Sequence, residues 1–192
     1  MRTTFLIALS VVAILAFFIQ LKTPFIVTPL YIMLLCTSLF AGQVLKDINI
    51  FHISLFLLTI NSLNYIIFIS GLIDLTAVDN DYLSQGTFVF GAQLLVNFIA
   101  FCIFIFRVQV SRALSRSKNI KLTYFDALYH WYFLFLMAVC FLALLENYLR
   151  NAFHLNFTFI YDTFEILHYL PWSLTCGSLL AMIIYSIKEK NN

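Results

Sequence analysis

Long apolar runs separated by short polar segments dominate this chain. About six runs have helical length, at residues 4–21, 26–45, 50–73, 86–106, 127–149 and 166–187. Each approaches the roughly 20 residues that span about 30 Å of hydrocarbon as an α-helix. Because unpaired backbone groups are costly in lipid, runs of this kind cross a membrane as helices. The pattern predicts an all-α, polytopic transmembrane bundle of about six spans.

The first run also has features of a secretion signal. Arg2 precedes an apolar stretch from Phe5 to Ile19, as in a signal peptide. That stretch is at the upper length limit for such a peptide, and no persuasive small-x-small cleavage site with a polar sequence after it follows. We therefore interpret residues 4–21 as a retained helix, and an even number of spans then places both termini on one side.

The basic residues between the runs fall mainly on one side of the membrane. With the N-terminus in the cytoplasm, the inner side carries Arg2, Lys46, Arg107, Arg112, Arg116, Lys118, Lys121, Lys188 and Lys190. Lys22 and Arg150 lie on the outer side. Cytoplasmic loops of membrane proteins carry an excess of Lys and Arg. The distribution predicts a multi-pass protein of the cell inner membrane with cytoplasmic N- and C-termini.

Composition supports the membrane class. Hydrophobic residues make up 62% of the chain and charged residues 10%, with a mean hydropathy of +0.95. Soluble domains carry about 25% charged residues. The loops are too short for a separate soluble domain, so we expect residues 1–192 to form a single integral membrane domain surrounded by lipids. The net charge of +2 is spread over loops, which does not favour a nucleic-acid partner.

The longest predicted inner loop, residues 107–126, is basic. It carries Arg107, Arg112, Arg116, Lys118 and Lys121, alternating with apolar residues. A short helix here would be basic on one side and apolar on another. One interpretation is a loop resting on anionic lipid. The other is a docking surface for a cytosolic protein partner.

Four amides lie near the middle of two predicted spans. Asn61 and Asn64 share one face of the third run, and Gln93 and Asn97 share one face of the fourth, at similar depth. An amide in hydrocarbon needs a partner, which predicts hydrogen bonds between these helices worth roughly 0.6–2 kcal/mol each. The alternative is a polar lining for an ion channel or small-solute pathway.

Glu146 is the one acid well inside a predicted span. It lies about one turn from the predicted outer end, and Arg150 follows four residues later on the same helix face. We expect the two to pair at a capped helix end, with His168 and Lys22 as other partners. A proton-relay or gating carboxylate is the alternative.

Small residues recur every four positions in the sixth run, at Ser173, Gly177 and Ala181. Such a stripe permits close approach of helix backbones. It fits packing within the chain, or an interface between copies in a homo-oligomer.

Histidine positions allow a haem interpretation. His52 and His130 lie toward the inner side, and His154 and His168 toward the outer side. Two pairs at equal depth are found in small bis-histidine membrane cytochromes. Histidines at helix boundaries are also common as polar tips at the membrane interface, so we predict no cofactor and keep haem as the lesser alternative.

Motifs for catalysis or metal binding are absent from the sequence. The cysteines lie singly in four different runs, at Cys36, Cys102, Cys140 and Cys176. No C-x-x-C, H-E-x-x-H, G-x-S-x-G or glycine-rich phosphate loop occurs. We therefore predict a protein that is not an enzyme and has no metal site.

In length and layout the chain resembles the membrane subunit of the Kiwa system, one of the small membrane subunits of bacterial anti-phage defence. The resemblance lies in a short multi-pass chain with little mass outside the membrane and one basic cytoplasmic loop. It implies an oligomeric inner-membrane sensor that holds a cytosolic effector, with residues 107–126 as the contact. We expect a non-enzymatic sensor or scaffold subunit of this kind.

Overall fold

The regular structure of the described residues is entirely helical. A computed structural model describes residues 24–70 and 82–191. Its helices are α1 (Pro24–Val44), α2 (Ile48–Ile69), α3 (Tyr82–Ile105), α4 (Arg107–Leu114), α5 (Asp126–Ala152) and α6 (Phe159–Asn191). The all-α prediction is therefore confirmed for these ranges.

Five of the predicted runs correspond to helices, and the run at 4–21 lies outside the described residues. Four helices of the described part are long and apolar enough to cross a membrane: Ile48–Phe68, Tyr82–Ile105, Asp126–Ala152 and Phe159–Lys190. In α1 the apolar helix Pro29–Val44 is shorter than that. The structure thus indicates a membrane protein with four candidate spans, while the count of six and the single-domain assignment remain predictions.

A tight turn joins α1 to α2. Lys46 adopts a left-handed conformation with a φ of 52°, as is common just after a helix end. The Asp47 side chain then accepts hydrogen bonds from the backbone N–H groups of Asn49 and Ile50 at 3.0 and 3.4 Å, which caps α2. A Cβ atom on Gly42 would lie 2.7 Å from the backbone nitrogen of Phe51. Glycine is therefore required there for the two helices to approach.

The bundle is built on two helix pairs, α1 with α2 and α3 with α5, and α6 packs against α5 and α1. The buried core includes Leu35, Leu57 and Leu179. Phe104 of α3 stacks on Tyr129 and Phe133 of α5 with ring centroids 5.2 and 5.3 Å apart. These rings pack the α3–α5 pair closely where α3 ends and α5 begins, and aromatic pairs add stability beyond simple burial.

The helices alternate in direction, so their ends meet at two ends of the bundle. Lys190 near the end of α6 donates a hydrogen bond to the carbonyl of Leu45, in the α1–α2 turn. Asn49 at the start of α2 contacts Arg107 after the end of α3. We call this end, which holds residues 107–126, the basic end. It gathers Lys46, Arg107, Arg112, Arg116, Lys118, Lys121, Lys188 and Lys190, while Arg150 lies at the opposite end.

Candidate functional site

A buried ion pair organises the basic end. Arg107 begins α4 and is only 1% exposed, although it is a charged side chain. Its Nε donates to Oδ1 of Asp126 at 2.7 Å, and a second guanidinium nitrogen donates to Oδ2. Such a bidentate contact is the strongest geometry that arginine and a carboxylate form. It fastens the first residue of α4 to the first residue of α5.

Asn49 joins α2 to the same network. Its side-chain oxygen accepts from Arg107 at 3.0 Å and from the backbone N–H of Lys121 at 3.2 Å. Arg107 also donates to the carbonyl of Lys121 at 2.6 Å, and the N–H of Thr123 donates to Asp126 at 2.5 Å. Three helices and the connection between α4 and α5 are thus linked through one guanidinium group. The two ends of segment 107–126 are therefore hydrogen-bonded to each other and to α2.

The exposed residues of this segment include both charged and apolar side chains. Arg116, Lys118 and Lys121 are exposed. Just after Lys121 in the chain, Leu122 is 79% exposed and Tyr124 is 92% exposed. We call these five residues the basic platform.

The five predicted contact residues of this segment differ in their exposure and in their hydrogen bonds. Arg116, Lys118 and Lys121 lie on the basic platform. Arg112 is exposed but donates to the carbonyl of Ile120 at 3.3 Å, so it also supports the fold of the connection. Arg107 is in the interior and is not available to a partner or to lipid headgroups. Its structural role was hidden in the sequence because Asp126 is 19 residues away.

A second candidate site lies in the middle of the bundle. Asn61 and Asn64 of α2, Asn97 of α3, and His168 and Thr175 of α6 line a cavity of about 20 Å³, which we call the central cavity. Roughly 10–15 Å³ of such volume is enough for one water molecule. Three of the four predicted mid-membrane amides therefore converge on one small space.

Two polar atoms at the central cavity have no hydrogen-bond partner in the described structure. They are Oδ1 of Asn64 and Nδ1 of His168, and both are buried. Buried polar atoms are nearly always paired, with protein or with ordered water. Both atoms belong to residues that line the central cavity, and each retains an unused capacity for a hydrogen bond.

Pro171 of α6 is one of the residues that line the central cavity. It lies inside the helix, and proline has no N–H for the carbonyl four residues earlier. Thr175 donates from its hydroxyl to the carbonyl of Pro171 at 2.8 Å. This bond reaches the carbonyl of Pro171 itself and not that of Leu167, which is the one that loses its helical N–H partner to the proline.

The predicted direct bonding between the amides of α2 and α3 takes a different form. Asn61 donates to the carbonyl of Leu57 in its own helix at 2.7 Å. Asn97 donates to the sulfur of Cys140 at 3.5 Å, and Cys140 contacts Oε1 of Gln93 at 3.9 Å. Gln93 and Asn97 therefore join α3 to α5 through the thiol of Cys140.

A partly open pocket with an aromatic lining lies beside the central cavity. It has a volume of about 170 Å³ and is lined by Tyr65 and Phe68 as well as by residues of the cavity itself. Tyr31 and Trp172 form part of its wall and stack on each other with ring centroids 4.7 Å apart. We call this space the side pocket. It gives the polar cavity an apolar extension.

Glu146 does cap a helix, although not with the predicted partner. Its two carboxylate oxygens accept from the backbone N–H groups of Ile160 and Tyr161 at 2.7 and 2.9 Å, in the first turn of α6. The guanidinium of Arg150 instead lies over the ring of Tyr161, 4.7 Å from its centroid. An anion at a helix N-terminus satisfies free N–H groups and the helix dipole, so Glu146 positions α6.

The histidines have different surroundings. His52 is buried beside Phe56, His130 contacts Phe101, His154 is exposed, and His168 lines the central cavity. Within residues 24–70 and 82–191, no group of three or more His, Cys, Asp or Glu could hold a metal ion. The haem alternative remains untested by these contacts.

The small-residue stripe of α6 has space beside it. No atom of the described structure lies within 4 Å of a Cβ built on Gly177. Gly177 therefore does not serve close packing between the described helices, and the homo-oligomer interface remains a prediction.

Sequence reasoning did not place Tyr31, Trp172 or Thr175 at a site. These residues belong to runs that read as continuous apolar helix, and only Pro171 signals a local change in α6. Comparison with protein-family models, curated proteins and solved structures found no match to this chain. Its function is therefore inferred from the geometry of the two sites.

Proposed function

We propose that this protein is a non-enzymatic membrane scaffold or sensor subunit that holds a cytosolic protein through the basic platform. The observation that carries the proposal is the hydrogen-bond network that holds segment 107–126 against α2 and α5. A buried arginine held by Asp126 and Asn49 orders a stretch that otherwise consists of exposed basic and apolar residues. Ordered surfaces of this composition suit protein recognition, in which Tyr and Arg are enriched.

A lipid anchor has different requirements. A polybasic segment binds anionic lipid through charge near the surface, and this attraction needs no particular shape. The basic platform combines three exposed cations with the exposed side chains of Leu122 and Tyr124 on an ordered support. The complementary partner is a soluble protein with an acidic surface that has an apolar centre.

The location follows from the charges. Eight basic side chains are gathered at the basic end, and the positive-inside rule puts such an end in the cytoplasm. The protein is then a multi-pass protein of a cell inner membrane with the platform facing the cytosol. The resemblance to the Kiwa membrane subunit extends the proposal to a homo-oligomeric subunit in antiviral defence.

Charge reversal on the basic platform tests the proposal. Arg116→Glu, Lys118→Glu and Lys121→Glu together leave Arg107, Arg112 and the backbone contacts of Lys121 in place. Each lost attraction becomes a repulsion, so the partner should be released when the protein is purified from native membranes in mild detergent. The matched control is the triple exchange Arg116→Lys, Lys118→Arg and Lys121→Arg, which keeps the charge and should keep the partner.

Crosslinking identifies the contact directly. A photoreactive amino acid at Tyr124 should form an adduct with the same soluble protein that charge reversal releases. Adducts with phospholipid alone, or a partner list that is identical for wild type and the charge-reversed variant, would refute the docking proposal and leave the segment as a lipid anchor.

The central cavity favours a second candidate function, the binding of a small solute inside the bundle. Asn61, Asn64 and Asn97 meet there with His168. A space of about 20 Å³ accommodates about one water molecule. This geometry supports binding rather than conduction through the amides, and electrical recording from reconstituted bilayers separates the two.

A further inference from the structure

The central cavity and the side pocket form one site with two chemical parts. Tyr31, Asn61, Asn64 and Trp172 line both spaces, so the two adjoin. Asn64, whose Oδ1 is unpaired, belongs to the lining of both spaces, and His168 belongs to the lining of the central cavity. The site combines a small polar end with a larger aromatic chamber.

The polar end selects a hydroxyl group. Oδ1 of Asn64 accepts hydrogen bonds, and a neutral histidine nitrogen either accepts or donates depending on its tautomer. A hydroxyl both donates and accepts, so it can satisfy the unpaired atoms of Asn64 and His168. A volume of about 20 Å³ admits one group of about the size of a water molecule.

The chamber matches one aromatic ring. An enclosed cavity of about 150 Å³ in another protein is known to hold benzene. The side pocket measures about 170 Å³ and is partly open, since its lining residue Tyr65 is 51% exposed. Its walls include the stacked rings of Tyr31 and Trp172 together with Tyr65 and Phe68. Aromatic walls favour offset or edge contacts with a further ring.

We propose that this site binds a single-ring aromatic molecule that carries a hydroxyl group, with the ring in the side pocket and the hydroxyl in the central cavity. A free phenol and the headgroup of a membrane hydroquinone share this chemistry. The inference is independent of the basic platform, because the polar atoms involved belong to α2 and α6 within the bundle.

Trp172 provides the measurement. The chain has two tryptophans, and Trp131 is 60% exposed, so Trp131→Phe leaves a single indole at the site. Phenol should change the fluorescence of Trp172 saturably in detergent solution. Anisole has the same ring but no hydroxyl hydrogen, and it should bind at least about tenfold more weakly because a buried acceptor loses its partner.

The same assay distinguishes a ligand that comes from the membrane from one that is free in solution. An alkyl-tailed hydroquinone is titrated beside phenol, with its dimethyl ether as the matched control. Saturation by the tailed hydroquinone at a lower concentration than phenol assigns a membrane ligand. Saturation by phenol at the lower concentration assigns a free one.

Two variants remove the polar end. Asn64→Leu and His168→Phe should each reduce phenol binding to the level of anisole and leave anisole binding little changed. Gln93→Leu is the control, because Gln93 is a mid-membrane amide bound to Cys140 rather than a lining residue of either space. Circular dichroism and gel filtration check that each variant is folded.

The comparison of phenol with anisole needs only the Trp131→Phe protein, so it stands even if a cavity variant fails to fold. Equal affinity for the hydroxyl compounds and their ethers would overturn the proposal. So would the absence of saturable binding, or full retention of phenol selectivity in folded Asn64→Leu and His168→Phe proteins.

Discussion

Replacing Asp126 with Asn should destabilise the basic end strongly. The carboxylate is 5% exposed and accepts two hydrogen bonds from the Arg107 guanidinium and one from the N–H of Thr123. Removing one member of a buried ion pair costs about 3–5 kcal/mol, because the other charge remains buried. The Asn side chain keeps one acceptor oxygen, and Asn49 still holds Arg107, so we expect a loss of about 3 kcal/mol.

Hydrogen exchange reports this loss at the site. The amides of Lys121 and Thr123 are bonded to Asn49 and Asp126, so they exchange when the segment opens. A change of about 3 kcal/mol corresponds to roughly a hundredfold larger open population. Exchange of these two amides in Asp126→Asn should accelerate by about that factor. Asp162→Asn, an exposed acid at the opposite end, should change them by less than about threefold.

Removing both charges separates the ion pair from simple packing. The double variant Arg107→Met with Asp126→Leu leaves no buried charge, and such replacements are often neutral or stabilising. We expect it to be less destabilised than Asp126→Asn alone. Wild-type exchange rates in Asp126→Asn, or a double variant that is worse than the single one, would refute the assignment of Arg107 and Asp126 as the organising pair.

Three further outcomes are expected. Gly86→Ala should lower the unfolding free energy by about 1–3 kcal/mol, because its Cβ would lie 2.4 Å from the Asn147 side-chain oxygen. The control Gly91→Ala meets no atom within 4 Å and should be nearly neutral. Equal unfolding midpoints for the two variants would contradict this prediction. Glu146→Gln removes a charge-assisted cap and should cost about 1–2 kcal/mol, seen as faster amide exchange at Ile160 and Tyr161 but not in the exposed control Glu165→Gln. For orientation, Asp162→Cys should react with a membrane-impermeant thiol reagent in intact cells and Lys118→Cys should not; the reverse labelling would overturn a cytoplasmic basic end.

The sequence by itself determined the helical class and the approximate extent of the helices. Apolar runs of spanning length predicted five helices that the structure contains, and α3 and α5 end within a few residues of the prediction. Hydropathy is a property of consecutive residues, so a helix that is buried in lipid or protein along its length is visible locally. The collection of basic residues at one end was likewise readable from their order along the chain.

The tertiary structure alone decided the partner of each polar group. The helix α6 begins at Phe159 rather than near residue 166, because Glu146 of the preceding helix caps its first turn. Arg107 is an interior residue, because Asp126 and Asn49 reach it from two other helices. Pairing depends on how helices are placed in space, and a linear pattern does not contain that placement.

For the candidate sites as well, the sequence identified some of the residues and the tertiary structure determined how they come together. The sequence identified the amides Asn61, Asn64 and Asn97 as unusual, because polar side chains stand out in an apolar run. Their convergence with His168 on one cavity required the packing of α2, α3 and α6. A polar atom in hydrocarbon needs a hydrogen-bond partner wherever the fold places it, so the amides in the apolar runs already showed that partners were needed. Only the packing of the helices determined which of their atoms remain unpaired.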